Sequence, residues 1–191
     1  MTSNILNSYV PTNKQEAEDK EVMIKFLENN EDAFYRTNEK AHFTSSAIIL
    51  NKDKTKVLFA YHLIFQSWSW LGGHCDGDSD FLRVAQKEAL EESNLKNIKL
   101  LSEKPLMLDN IQVDDHYKSG KFIKKHIHMN LTYFFEADES EEIAIKPDEN
   151  SDIKWIKIPD FLTQVREEKM LIIYQKAITV INRLKNKALE G

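Results

Sequence analysis

Apolar positions recur along this chain with two different periods, and each change of period marks an element. Between Thr12 and Asn30, Val22, Met23, Phe26 and Leu27 fall at helical spacing behind Pro11 and a polar first turn, which predicts a helix. The run HFTSSAIIL (His42–Leu50) predicts a strand, NKDKT a turn and KVLFAYHL (Lys56–Leu63) a second strand, together a hairpin. Phe81, Leu82, Val84, Ala85 and Ala89 supply the apolar side of a helix expected from Phe81 to about Ser93. Asp78, Ser79 or Asp80 is its expected N-cap, and Asn94 its left-handed C-terminal cap. Short strands are expected near Ile98–Leu101, Leu106–Val113 and Phe122–Phe135; in the last, Ile127, Met129, Leu131, Tyr133 and Phe135 alternate along one face. DIKWIKI predicts a further strand, Pro159 opens a helical region, and Met170–Ala188 predicts a final helix. The order of elements is a mixed α and β arrangement, read as an N-terminal helical extension (residues 1–40) and a main domain (residues 41–191).

Composition narrows the function classes. A chain of 191 residues that is 41% hydrophobic and 30% charged is an ordinary globular protein with enough length to bury a core. Its net charge is −5 and no Lys/Arg cluster stands out, which argues against a binder of nucleic-acid polymers but leaves a nucleotide substrate open. The one cysteine, Cys75, rules out an intrachain disulfide. No apolar run approaches a membrane span, and the N-terminal stretch lacks the basic start and apolar core of a signal peptide, so the cytoplasm is the expected location. A homodimer is left open.

The chemistry concentrates in FQSWSWLGGHCDGDSD and the helix after it. The chain has five glycines, and Gly72, Gly73 and Gly77 fall inside six residues, where backbone can be approached closely. Downstream, KEALEES places Glu88, Glu91 and Glu92 on one helix face at i, i+3 and i+4. Carboxylates at that spacing repel one another unless water screens them or a cation sits among them. Three carboxylates and a backbone carbonyl are hard oxygen donors, suited to Mg²⁺ or Mn²⁺ and to phosphate chemistry. Glu88 and Glu92, one turn apart, are the firmest ligands; Glu91 is a third ligand or a base.

The stretch Gly73–Leu95 resembles the Nudix box, G-x5-E-x7-R-E-U-x-E-E-x-G-U with U aliphatic. The matching residues are Gly73, Glu88, Ala89, Glu91, Glu92 and Leu95, with the spacing kept. The resemblance implies an αβα sandwich around a mixed β-sheet, and hydrolysis of a nucleoside diphosphate linked to another group by attack of a metal-activated water. It also implies that the glutamates hold the metals and that Gly73 offers its carbonyl. Three positions depart from the pattern: Ser79 stands for the first glutamate, Lys87 for the arginine and Asn94 for the last glycine. In the family that glutamate and arginine are expected to brace the loop against the helix. Here Lys87 is left to orient the helix carboxylates, with Asp76, Asp78 or Asp80 as substitute partners, although lysine lacks arginine's bidentate fork. Two other readings follow: a nucleotide binder of weak activity on the same fold, and, prompted by Cys75, an isoprenoid diphosphate isomerase.

Outside the box, Glu149 and Glu139 lie in acidic loops from which a further ligand could come, Glu149 in the more rigid setting. His126 and His128, two apart on a strand, face one side; they are read as partly exposed sheet residues available for phosphate or substrate contact rather than as metal ligands. Trp68 and Trp70 are candidates to stack on a base, with core packing the rival reading for at least one. His74 and Cys75 alone make a poor zinc site, since structural zinc needs four ligands.

Overall fold

The computed structural model describes residues 2–118 and 120–189, with the side chains of 4–118 and 120–186. Its elements in chain order are α1 (Thr2–Ser8), α2 (Lys14–Asn29), β1 (Ala41–Asn51), β2 (Lys56–His62), β3 (Ser67–Ser69), β4 (Leu71–His74), α3 (Phe81–Ser93), β5 (Lys99–Leu100), β6 (Met107–Val113), β7 (His116–Lys118), β8 (Lys121–Ile123), β9 (His126–Ala137), β10 (Asn150–Lys157), α4 (Ile158–Gln164) and α5 (Glu168–Leu189).

Local chemistry sets the helix boundaries. Asn13 caps α2 by accepting from the Glu16 N–H at 2.9 Å, while the Glu16 carboxylate accepts from the Thr12 N–H at 2.8 Å. This reciprocal cap starts the helix at Lys14 rather than Thr12. In α3, the Asp80 carboxylate accepts from the Arg83 N–H at 3.1 Å, which makes Asp80 the cap among the three candidates. Asn94 ends that helix in the left-handed region, at φ 60°. The helix α1 and the strands β4 and β7 were not expected, being too short to show a period. The expected strand Phe122–Phe135 is divided between β8 and β9.

The chain forms two compact units. One comprises Met1–Ala47, Gly72–Glu88 and Ser102–Tyr133; the other comprises Ile48–Leu71, Ala89–Leu101 and Phe134–Gly191. In the first, β6 pairs antiparallel with β9 from Met107↔Thr132 to Val113↔His126, and β7 pairs with β8. Phe26, Phe34 and Phe81 gather around Phe43, with ring centroids 5.3–6.4 Å from it. The hydroxyls of Thr44, Ser45 and Ser46 in β1 are buried and satisfied there. Thr44 and Ser46 hydroxyls donate to Asn130 Oδ1 at 2.8 and 2.9 Å, Asn130 Nδ2 donates to Thr132 Oγ1 at 3.0 Å, and the Ser45 hydroxyl donates to the Phe81 carbonyl at 2.7 Å.

In the second unit, β2 pairs antiparallel with β10, with β3 and with the end of β1 (Ile49↔Leu58), and β5 pairs with the end of β9. The turn after β1 is fixed by Asn51 Oδ1, which accepts from the N–H groups of Thr55 and Lys56 at 2.8 and 2.9 Å. Phe59, Phe161 and Tyr174 form its aromatic core. Among the described residues no helix is long and apolar enough to cross a membrane.

Candidate active site

Gly73 lies in β4 with the Glu88 carboxylate directly over it. A Cβ at position 73 would stand 2.6 Å from Glu88 Cδ and 2.8 Å from its Oε2, closer than real Cβ atoms come. Glycine is therefore what lets this carboxylate rest on the strand backbone. The preceding glycine is confined by β1: a Cβ at Gly72 would meet the Ser45 carbonyl oxygen and Ser46 Cα at 2.7 Å. The Glu88 side chain is 12% exposed, and the Lys87 ammonium stands 3.5 Å from its Oε1.

Glu91 and Glu92 follow Glu88 on the same uninterrupted helix, so helical geometry alone puts all three within one turn. Glu92 is buried and Glu91 half-exposed. Lys146 carries its ammonium 3.9 Å from Glu91 Oε2 and 3.3 Å from Glu149 Oε1. One cation thus brings Glu149 to the acidic helix, although nothing in the spacing of Lys146 marks it in the sequence. Glu139 is engaged elsewhere, by Lys56 at 2.6 Å.

The loop between β4 and α3 is braced by arginines, which the sequence reading did not name, and Lys87 also acts electrostatically on Asp78. Arg83 grips Asp78 with two nitrogens, at 2.8 and 2.6 Å, and lies 3.6 Å from Asp80. Arg36 grips both carboxylate oxygens of Asp76. The hydrogen bonds from Arg83 hold the Asp78 carboxyl below the usual carboxylate range, and those from Arg36 do the same for Asp76. Arginine suits these places because its fork reaches both oxygens at once. The first-turn pair Asp78–Arg83 ties the loop to the start of the helix that carries the glutamates.

Both tryptophans have packing partners. Trp68 pairs across from Tyr61, edge to face at 5.5 Å, with the Lys154 ammonium 4.1 Å above its ring. Trp70 meets Tyr174 edge to face at 5.2 Å, and its backbone N–H donates to the Tyr174 hydroxyl at 3.2 Å. The histidines of β9 differ from the sequence reading. His126 is buried and Ile127 is 37% exposed, the reverse of the expected alternation at that end of the strand. His126 and His128 gather with His74 and with His42, which spacing gave no reason to group with them. The Cys75 thiol is buried, and burial raises its pKa, which holds it protonated.

A family model described as the NUDIX domain matches residues 40–176. No curated protein sequence matches the chain significantly. Similar solved structures include a Caenorhabditis elegans Ap4A hydrolase binary complex, 15% identical with a TM-score of 0.54, covering 73% of this chain and 97% of that one. A Clostridium perfringens hydrolase of the NUDIX family is 24% identical with a TM-score of 0.53 over the same shares. A Listeria monocytogenes NUDIX hydrolase is 14% identical with a TM-score of 0.53, covering 76% of this chain and 95% of that one. At such identities the likeness shows the fold, an α+β arrangement with a mixed central sheet plus helices.

Proposed function

Since this chain belongs to the Nudix family, as the match over residues 40–176 establishes, we propose that it hydrolyses a nucleoside diphosphate linked to another group, at the α3 carboxylates. The observation that carries the proposal is the Glu88 carboxylate lying on Gly73 at a distance only glycine permits. It sits on the helix that also bears Glu91 and Glu92. Mg²⁺ or Mn²⁺ fits this donor set. Carboxylate and carbonyl oxygens are what those ions prefer, and the Lys146 ammonium between Glu91 and Glu149 marks a place where positive charge is favoured.

Glu88, Glu91, Glu92 and the Gly73 carbonyl would hold the metal, and Glu149, which shares Lys146 with Glu91, is the candidate for a further ligand. When bound, the ion neutralises phosphate charge and acidifies water. The residues do the rest. A glutamate of the set, Glu91 being the most exposed, accepts the proton of the attacking water as its oxygen bonds to phosphorus. The P–O bond of the anhydride then breaks, and the leaving phosphate departs with the electron pair. The Asp78–Arg83 pair holds the loop to the helix so that Gly73 and Glu88 stay in register. Lys87 and Lys146 set the orientation of Glu88 and Glu91. Trp68, Trp70, His126 and His128 remain candidate substrate contacts, with a small nucleotide as the partner.

The brace supports hydrolysis over a binder of weak activity, because it replaces the pair expected from Ser79 and Lys87. The protonated, buried Cys75 lends no support to an isomerase, which would need a reactive thiol. The test is turnover of a panel of dinucleoside polyphosphates and nucleotide sugars with and without Mg²⁺, product phosphates being followed by ³¹P NMR. Wild-type turnover is expected to need the metal, and Glu91→Gln with Glu92→Gln to abolish it. Unchanged turnover in that double variant, or nucleotide binding by calorimetry with no product from any substrate, would remove the assignment.

A further inference from the structure

Four imidazoles from three strands converge within one of the two units. His42 is the second residue of β1, His74 ends β4, and His126 and His128 lie on β9. The His42 ring centroid stands 5.0 Å from those of His74, His126 and His128, and His74 stands 4.9 Å from His128. Ring nitrogens of His42, His74 and His128 all lie within 4.8 Å of one another. Gly73 turns towards Glu88, and successive residues of a strand point to opposite faces, so the His74 ring leaves β4 on the side away from Glu88.

Backbone carbonyls fix which nitrogens face inward. His42 Nδ1 lies 3.1 Å from the Asn38 carbonyl and His126 Nδ1 lies 2.8 Å from that of Lys124. A carbonyl only accepts, so each Nδ1 carries the proton, and in the neutral ring each Nε2 holds a bare lone pair. His42 is 3% exposed, and its Nε2 is buried without a hydrogen-bond partner. A buried lone pair of this kind is unfavourable unless something engages it. His126 Nε2 lies 3.0 Å from His128 Nε2. With its proton on Nδ1, His126 Nε2 accepts a hydrogen bond from the His128 Nε2–H, which leaves His128 Nδ1 as the lone pair that this ring can offer. Burial lowers the pKa of His42, His74 and His128, which favours the uncharged ring over the imidazolium. Arg36 and Lys118 are the cations that act on His74, and Arg36 is bound to Asp76.

We propose that His42, His74 and His128 form a second metal site, for a borderline divalent transition ion of which Zn²⁺ is the reference. Imidazoles select such ions, whereas Mg²⁺ prefers oxygen. Three histidines leave a fourth position open, and the Nδ1–carbonyl contact of His42 is the support that metal-binding imidazoles use.

The test is Co²⁺ titration of the full-length protein carrying Glu91→Gln and Glu92→Gln, which weakens the carboxylate set and leaves the histidines intact. The expected result is one equivalent of Co²⁺ with visible ligand-field bands of nitrogen coordination, displaced by Zn²⁺ and not by Mg²⁺. Adding His74→Ala and His128→Ala should weaken binding by at least about 100-fold, the upper end of what losing a mere supporting group costs. Because that variant could misfold, the wild-type protein is also followed by ¹⁵N NMR of its histidines. Zn²⁺ should move the Nε2 resonance of His42 and leave its Nδ1 protonated. Absent bands, unchanged affinity in the histidine variant or unmoved His42 resonances would overturn the proposal. The readout is binding, so it stands or falls separately from the turnover assay.

Discussion

Replacing Gly73 by alanine separates the role of that residue in the site from its role in the fold. The new Cβ would lie 2.6 Å from Glu88 Cδ, where carbon contacts settle at about 3.5–4.0 Å, so the carboxylate must retreat by about 1 Å. Glu88 can do so at modest cost, because the clash meets the far end of a flexible side chain; an off-rotamer shift costs about 0.5–1.5 kcal/mol. Alanine returns about 0.4–1 kcal/mol by restricting the unfolded chain. Stability should therefore change little. Activity should not be spared, since a misplacement of about 1 Å in a catalytic group costs about 100-fold, or about 2.7 kcal/mol of transition-state stabilisation. The assay is Mg²⁺-dependent kcat/KM on the best substrate of the panel, beside urea denaturation of the same preparations. Wild-type kcat/KM in Gly73→Ala would refute the placement of Glu88 in the site. A stability loss above about 2 kcal/mol would show instead that the glycine serves the fold.

Asn130→Ala should cost about 2–4 kcal/mol in urea denaturation, because it strips the acceptor from the buried Thr44 and Ser46 hydroxyls and the donor from Thr132; a loss under about 1 kcal/mol would contradict that account. The folded pKa of Asp78 is depressed below its ordinary value of about 3.9 by Arg83, so the stability it contributes is complete above that pH and is lost as pH falls through the depressed value. Asp78→Asn should thus lower Tm slightly at pH 7 and flatten the decline of Tm below about pH 4. Parallel Tm curves for wild type and variant across that range would refute the pairing.

The features legible in the sequence are those whose physics is local. The bounds of α3, its Asn94 cap and the common face of Glu88, Glu91 and Glu92 all follow from helical period and spacing. The β1–β2 hairpin follows from two apolar runs around a polar turn. The likeness to the Nudix box adds Gly73, because the box fixes its distance from the glutamates along the chain. What the sequence withheld are pairings between residues far apart in it. Nothing near Asp76 announces Arg36, 40 residues away along the chain. Lys146 joins Glu149 to Glu91 only once the chain is folded. His42 meets His74, His126 and His128 only because β1, β4 and β9 bring their rings together. Period and spacing report which way a side chain faces within its own element; which charge or lone pair it then meets depends on neighbours that only the packed strands and loops supply.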